Sequence, residues 1–281
     1  METVQVIIPT INRPKLLSNI LKILLQSKLI TKITVINTSK KPLNIKFKKV
    51  EIVNNPNFLK AKNEVSKKSR CAYLLFLDDD LNLTLQALNN FLSRAFKLNL
   101  DAGSCFVRSK LTYKFDLIKT VGFAKLSFYG VASLNEKKIL SKTFRPDFFP
   151  GCFMLIKTSL FKDVNGFDTN YKFPFYNEDT DVSYRICKVK ENNIALFPDI
   201  TVTHLKSSGG VRTKIKKETW FYNFGFNNAY FFVKNFGILK YFLYCMFRLR
   251  DHLFVVKQKD IKIYKSYLSG VKNGFSKARK N

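Results

Sequence analysis

Three consecutive carboxylates, Asp78-Asp79-Asp80, follow directly on the apolar run Tyr73–Leu77. Adjacent like charges raise one another's proton affinity unless a cation or dense hydrogen bonding compensates. Such a cluster after a buried strand suits a hard divalent ion, which takes one or two carboxylates and completes its shell with phosphate oxygens and water. The same residues also read as an acidic cap for the helix that follows, although a cap needs only one Asp. A second cluster, Asn177-Glu178-Asp179-Thr180-Asp181, opens a helix. Backbone N–H groups and the dipole hold carboxylates ionised there, which suits a general base and equally suits ordinary capping. The third candidate is His204, one of two histidines, at the end of Val202-Thr203-His204. It reads as a metal ligand or as a structural imidazole.

The elements that must position these groups are legible in the hydrophobic pattern. Val4–Pro9 is a β-branched run, and a helix-period segment follows from Pro14 to Gln26 with proline in its first turn. Ile33–Ile36 and Val50–Val53 are further short strands. Phe58–Lys68 and Thr84–Lys97 are helices that flank a fully buried strand at Ala72–Leu77. Strands alternating with helices predict right-handed crossovers and a mainly parallel, two-faced sheet. Ligands bind at the carboxyl ends of strands in such sheets, which is where Asp78–Asp80 falls. Ala102–Arg108 and Phe123–Leu134 read as extended, Cys152–Ile156 as a central strand and Asp179–Lys188 as a helix. Ile194–Phe197 and Thr201–His204 read as two closing strands.

At 281 residues, with 46% hydrophobic and 15% aromatic content, the chain can bury a sizeable core and is not a disordered polymer. Its five cysteines (Cys71, Cys105, Cys152, Cys187, Cys245) are scattered without a C-x-x-C pair, which predicts reduced thiols and neither a disulfide framework nor a zinc site. No basic leader with a long apolar core precedes Val4, so no secretory signal is expected. No run reaches the roughly 18 uncharged apolar residues of a membrane span. The net charge of +29 attracts polyanions such as phosphorylated substrates, anionic lipid or nucleic acid. Lysine-rich codon usage in an AT-rich genome is the alternative source of that charge. From residue 205 onward the chain carries 17 basic, 3 acidic and 17 aromatic side chains, and looks helical.

Taken in order, these motifs resemble the inverting family 2 glycosyltransferases of the GT-A fold, especially bacterial rhamnosyltransferase-like and galactofuranosyltransferase-like members. The resemblance spans roughly Val4 to Ser208. Ile7-Ile8-Pro9-Thr10-Ile11-Asn12-Arg13-Pro14 looks like the opening nucleotide-binding strand and turn. Asn55-Pro56-Asn57 with Ala61 and Asn63 is similar to N-x-G-x-x-x-A-x-N, with Asn57 in the place of a glycine and so expected to be left-handed. Asp78–Asp80 matches D-x-D, and Pro150-Gly151-Cys152-Phe153-Met154 matches P-G-x-x-M. Gly166-Phe167-Asp168 resembles G-F-D, Glu178–Asp181 resembles E-D-x-D, and His204 with Ser208 resembles H-x-x-x-S.

The resemblance implies an α/β fold with a mixed, mainly parallel sheet flanked by helices. It divides the chain into a catalytic unit, 1–208, and a helical, basic and aromatic extension, 209–281. Within the catalytic unit, 1–100 would hold the nucleotide-sugar and 101–208 the acceptor. Asp78, Asp80 and His204 would hold Mn2+ or Mg2+, and Asp179 would be the base. Pro9, Thr10, Asn12, Arg13, Asn37, Asn57, Asn63 and Asp78–Asp80 would line the donor site. Gly151, Glu178 and Asp179 would meet the acceptor. The second predicted strand ends Val35-Ile36-Asn37-Thr38, with Asn37 where the family often places an Asp to read the base, and Thr169 stands where Glu commonly follows G-F-D. The implied donor is a UDP- or dTDP-sugar, and the implied acceptor a hydroxyl of a glycan or lipid-linked glycan in bacterial surface polysaccharide synthesis.

A cytoplasmic enzyme is expected, peripheral at the inner membrane face, where Trp220, Phe221, Phe224, Phe231, Phe232, Tyr241, Phe242 and Phe247 lie among Lys234, Lys240, Arg248 and Arg250. Those aromatics also read as ordinary helix core. A sugar nucleotidyltransferase would want a glycine-rich loop after the first strand, and Pro9–Pro14 contains none. Nucleic acid is not expected as a partner, because it leaves Asp78–Asp80 unexplained.

Overall fold

The computed structural model describes residues 2–109, 123–126, 132–134, 142–205, 215–247, 258 and 260–280. The elements are β1 (Val4–Thr10), α1 (Pro14–Gln26), β2 (Ile30–Asn37), β3 (Val50–Asn54), α2 (Phe58–Lys67), β4 (Tyr73–Leu77), β5 (Leu81–Asn82) and α3 (Leu85–Lys97). They continue as β6 (Ala102–Ser109), β7 (Phe123–Leu126), β8 (Ala132–Leu134), β9 (Phe153–Lys157), α4 (Thr158–Asp163), α5 (Glu178–Lys188), β10 (Ile194–His204), α6 (Lys217–Phe247) and α7 (Ile261–Ala278).

β4 reads as an unbroken apolar run because both faces of the sheet are covered, whereas β1 carries a buried Gln5 that donates to the Thr34 hydroxyl at 2.8 Å. Every residue of β4 is buried. Eight strands form one sheet in the order β3-β2-β1-β4-β9-β6-β10-β5. β1, β2, β3 and β4 are mutually parallel, β9 runs antiparallel to both β4 and β6, and β10 runs parallel to β6. This is the mixed, mainly parallel sheet that the alternating pattern predicts. α1 and α3 cover one face, where Leu17, Leu21, Phe91 and Leu92 join one apolar cluster. α2, α4, α5 and part of α6 cover the other, with Leu59, Phe161, Ile186, Tyr230 and Phe231 in a second cluster.

Three local readings are corrected. The two expected strands at 194–197 and 201–204 are one strand, β10, with a register break between Phe197 and Thr201. The two-residue β5, too short to show a period, pairs Leu81 with His204. Asn57 is extended, at φ −103°, and its side chain caps α2 by accepting from the Lys60 N–H at 3.2 Å. The left-handed asparagines are elsewhere, among them Asn12 (φ 53°) and Asn177 (φ 68°). Part of the extended stretch at 123–134 lies outside the described residues, as do Ser208, Arg248 and Arg250.

The aromatic tail is largely core. Phe221, Phe231, Phe232 and Tyr241 are buried, Trp220 and Phe224 are half-buried, and Phe242 is exposed. Among the described residues no helix is long and apolar enough to cross a membrane. α6 breaks at Gly237, at φ 82° and ψ 173°, a backbone region essentially closed to other residues. The break returns the chain so that the Tyr244 ring stacks on Phe232 at 4.0 Å. A side chain at Gly237 would enter open space, so its cost is backbone strain alone. Gly237→Ala is expected to lower unfolding free energy by about 1–3 kcal/mol, read by chemical denaturation.

Candidate active site

The triplet follows the end of β4, and Asp79 and Asp80 lie in a turn that gives the three side chains different surroundings. Asp78 faces solvent with 35% of its side chain exposed, whereas Asp79 and Asp80 are buried. Asp79 turns inward, accepting from the Thr10 hydroxyl at 2.6 Å and from Arg13 at 2.9 Å. Arg13 also meets Asp80 at 3.1 Å, so one guanidinium joins two adjacent carboxylates. Burial pushes Asp79 up to about 6, while Thr10 and Arg13 oppose the rise.

His204 reaches this cluster through strand register. The pairing of His204 with Leu81, and a hydrogen bond from the Leu205 N–H to the Asp80 carbonyl, set its ring beside the triplet. Its Nε2 lies 3.0 Å from Asp80 and 3.6 Å from Asp78. On the other side the Asp78 N–H donates to the Cys152 carbonyl at the head of β9. Ligand atoms of Asp78, Cys152 and His204 all lie within 4.8 Å of one another. Carboxylate and imidazole donors at this spacing fit Mn2+ or Mg2+ chemistry, and the buried thiol adds a softer neighbour. Burial, then the charges of Asp78, Cys105, Asp179 and Asp80, keep that thiol protonated well above its ordinary range.

Asp179 completes the cluster. A side chain at Gly151 would come within 2.0 Å of the Asp179 carboxylate, so glycine is required where α5 meets the turn before β9. Burial raises the Asp179 carboxyl, opposed by the Thr180 N–H and Lys62, and the Asp78 charge adds to the rise. Glu178 is raised further, by burial and then by Asp179.

The structure thus gathers Asp78, Asp80, Gly151, Glu178, Asp179 and His204 at one end of the sheet. Four other predicted donor-site residues have their hydrogen-bonding groups directed into the protein. The Thr10 hydroxyl is held by Asp79, and its carbonyl accepts from Thr38. Asn37, expected to read the base, donates to the Lys41 carbonyl and Asn54 and accepts from the Ser39 N–H and hydroxyl, which saturates its amide. Asn63 closes a two-way pair with the Phe167 backbone, at 2.7 and 2.9 Å, and so pins the G-F-D turn. Asn57 caps α2. Pro9 is half-buried and Asn12 exposed on the turn beside Arg13.

Two groups escaped the sequence reading. Lys62 is buried on α2 with its ammonium over the rings of Phe167 (4.7 Å) and Phe58 (5.1 Å). It lies between the singled-out Ala61 and Asn63, but a lysine in an amphipathic helix reads as a solvent-facing residue. The other is a stripe of α6, including Lys234, which the sequence placed among the basic residues of a membrane face but whose ammonium turns inward onto Asp168 and Asp181. Asn223, Asn227, Tyr230 and Lys234, at helical spacing, grip the turn that leads into α5. Asn223 donates to the Phe173 carbonyl, and Asn227 pairs both ways with the Lys172 backbone at 2.7 Å. Tyr230 and Lys234 reach Asp168 at 2.7 and 2.8 Å. Lys234 also bonds the fully buried Asp181 at 2.9 Å, alongside Arg185 and Asn235. Against the penalty of burial, Lys234, the Asn170 N–H and Tyr230 hold Asp168 below its ordinary range. Asp168 and Asp181, acidic members of the G-F-D and E-D-x-D elements, are therefore structural anchors.

The sequence model of the family described as glycosyl transferase family 2 matches residues 5–164, more than half of the chain. The chain belongs to glycosyl transferase family 2. No curated protein matches this family 2 chain significantly. Among solved structures, S. aureus TarS residues 1–349 in complex with UDP-GlcNAc superposes at TM-score 0.63 and 16% identity, covering 98% of this chain and 80% of that one. GalNAc-T7 with UDP, GalNAc and Mn2+ gives TM-score 0.58 at 14% identity, covering 83% of this chain; the family 2 chain spans 51% of that structure's length. The mannosyltransferase PcManGT from Pyrobaculum calidifontis, in complex with GDP-Man and Mn2+, gives 0.53 at 13% identity, covering 82% and 63%. At such identities the likeness speaks to the fold, which is GT-A.

The α6 stripe makes a direct prediction. Lys234→Met leaves two buried carboxylates short of a cation, and is expected to cost on the order of 3 kcal/mol of unfolding free energy, measured by denaturant titration.

Proposed function

We propose that this family 2 member is an inverting, metal-dependent glycosyltransferase that moves one sugar from a nucleoside-diphosphate donor to an acceptor hydroxyl. The observation that carries the reading is the convergence of Asp78, Asp80, His204 and Asp179, from three distant stretches of chain, at the carboxyl end of β4. UDP- or dTDP-sugars are the donors proposed, and the UDP-GlcNAc and UDP complexes of two structural neighbours support that class. The acceptor proposed is a glycan or lipid-linked glycan. Five free cysteines support a reducing, cytoplasmic setting. The catalytic unit is taken as 1–208, with 209–281 acting as a clamp on its acceptor half.

Asp78, Asp80 and His204 would hold Mn2+ or Mg2+, as the Mn2+ complexes of two neighbours support. When bound, the cation supplies Lewis-acid neutralisation of charge on a departing diphosphate. Arg13 fixes the buried side of the triplet and leaves Asp78 open to solvent. Asp179 accepts the acceptor hydroxyl's proton as that oxygen attacks the anomeric carbon and the nucleoside diphosphate leaves. One displacement with one base inverts the configuration. Glu178, raised by burial and then by Asp179, is suited to hydrogen-bond the acceptor, and Lys62 keeps the pair's charge tolerable.

Three measurements test this. Asp179→Asn is expected to lower kcat by about 10²-fold or more while nucleotide affinity stays near wild type; near-normal turnover would remove Asp179 from the role. Asp80→Ala is expected to abolish Mn2+-dependent donor binding in calorimetry. The base works ionised, so activity falls as pH drops through its raised pKa. Lys62→Met removes a cation that favours the ionised form, and should move the acid limb of the pH–rate profile upward.

A further inference from the structure

The C-terminal helices carry a surface that their own packing does not use. Beyond Gly237, α6 exposes Leu239, Phe242 and Met246 at i, i+3 and i+7, to 74, 58 and 69%. α7 exposes Ile261, Tyr264 and Leu268 at the same spacing. Including Ile238, seven of the ten exposed large hydrophobic residues among the described residues lie in these two helices, so the exposure is concentrated and not scattered. The inward faces are already filled. Tyr241 and Tyr244 pack into the second apolar cluster with Phe232, and Ile263 and Tyr267 pack on Phe221.

Charge selects the occupant. Residues 238–247 and 261–278 contain five lysines (240, 262, 265, 272 and 277) and no acidic residue. On α7, Lys262, Lys265 and Lys272 are exposed and alternate with the exposed apolar side chains. A second copy of a chain with net charge +29 would bring like charge against like. An anionic bilayer meets both features, since apolar side chains enter the acyl boundary while lysine stems lie along it and their ammonium groups remain at the headgroups.

We propose that the distal part of α6 together with α7 is a docking surface for an anionic phospholipid bilayer. The surface stands independently of the transfer reaction. Because the proximal part of α6 grips the turn leading to Asp179, docking here would also set the attitude of the carboxylate cluster to the membrane.

The test is flotation of the full chain with phosphatidylglycerol–phosphatidylcholine vesicles and with phosphatidylcholine vesicles at physiological salt. Wild type is expected to float with the anionic vesicles only. Leu239→Asp/Phe242→Asp/Met246→Asp and Lys262→Glu/Lys265→Glu should each reduce partition at least about tenfold with an unchanged melting temperature. Should the aspartate variant melt early, the corresponding triple serine variant serves in its place and should show the same loss. No flotation of wild type overturns the proposal, as does wild-type flotation by the apolar variants, which would leave only diffuse charge attraction. Sedimentation that finds a wild-type dimer dissociated by the apolar variants would assign the face to a second copy and overturn the lipid assignment.

Discussion

Carboxylates crowded at the end of one strand repel one another, and the site is organised around making that crowding tolerable. The turn after β4 gives Asp78, Asp79 and Asp80 different surroundings, and each meets a different answer. Asp79 has the Thr10 hydroxyl and Arg13, Asp80 has Arg13 and His204, and Asp78 keeps contact with solvent. Burial, with the remaining negative field added to it, makes Cys152 and Asp179 hold their protons more tightly than usual. An excess of buried negative charge of this kind attracts cations and repels a phosphorylated ligand unless a cation stands between them.

The second constraint is mechanical. Asp179 stands at the start of α5, after a stretch, 164–177, with no regular structure to satisfy its backbone groups. Buried backbone polar groups must find partners. Here several come from side chains: Arg185 donates to Val164 and Gly166, Asn63 to Phe167, Asn227 to Lys172 and Asn223 to Phe173. Two of these donors lie on α6, so the basic, aromatic tail is part of the scaffold that fixes Asp179. Its aromatic residues serve mainly the core, while its outward face beyond Gly237 remains apolar and lysine-rich.

The legible features were those with a period or a repeated chemistry. Alternating strands and helices predicted the sheet, because burial on two faces forces unbroken apolar runs such as Tyr73–Leu77. The acidic triplet advertised its own location, since three adjacent charges at a strand end have few structural explanations. What failed was backbone detail. Asn57 was expected to be left-handed by analogy with a glycine and is an extended cap, whereas Asn12 takes that conformation. Asn37, Thr10 and Asn63 share the site's neighbourhood but direct their polar groups into the protein. Residue type alone does not tell a ligand contact from a turn clasp.

The sequence by itself determined most of the element order, the buried strand that precedes Asp78–Asp80 and the helix that opens at Glu178–Asp179, because local periodicity and capping chemistry are written residue by residue. Only the tertiary structure decided which of those groups meet. His204 reaches Asp80 through a two-residue strand pairing, Asp179 fits over Gly151 because no side chain stands there, and Lys234 crosses to Asp168 and Asp181 from a helix more than fifty positions away. Such contacts depend on register and close approach between distant segments, and no local pattern encodes them.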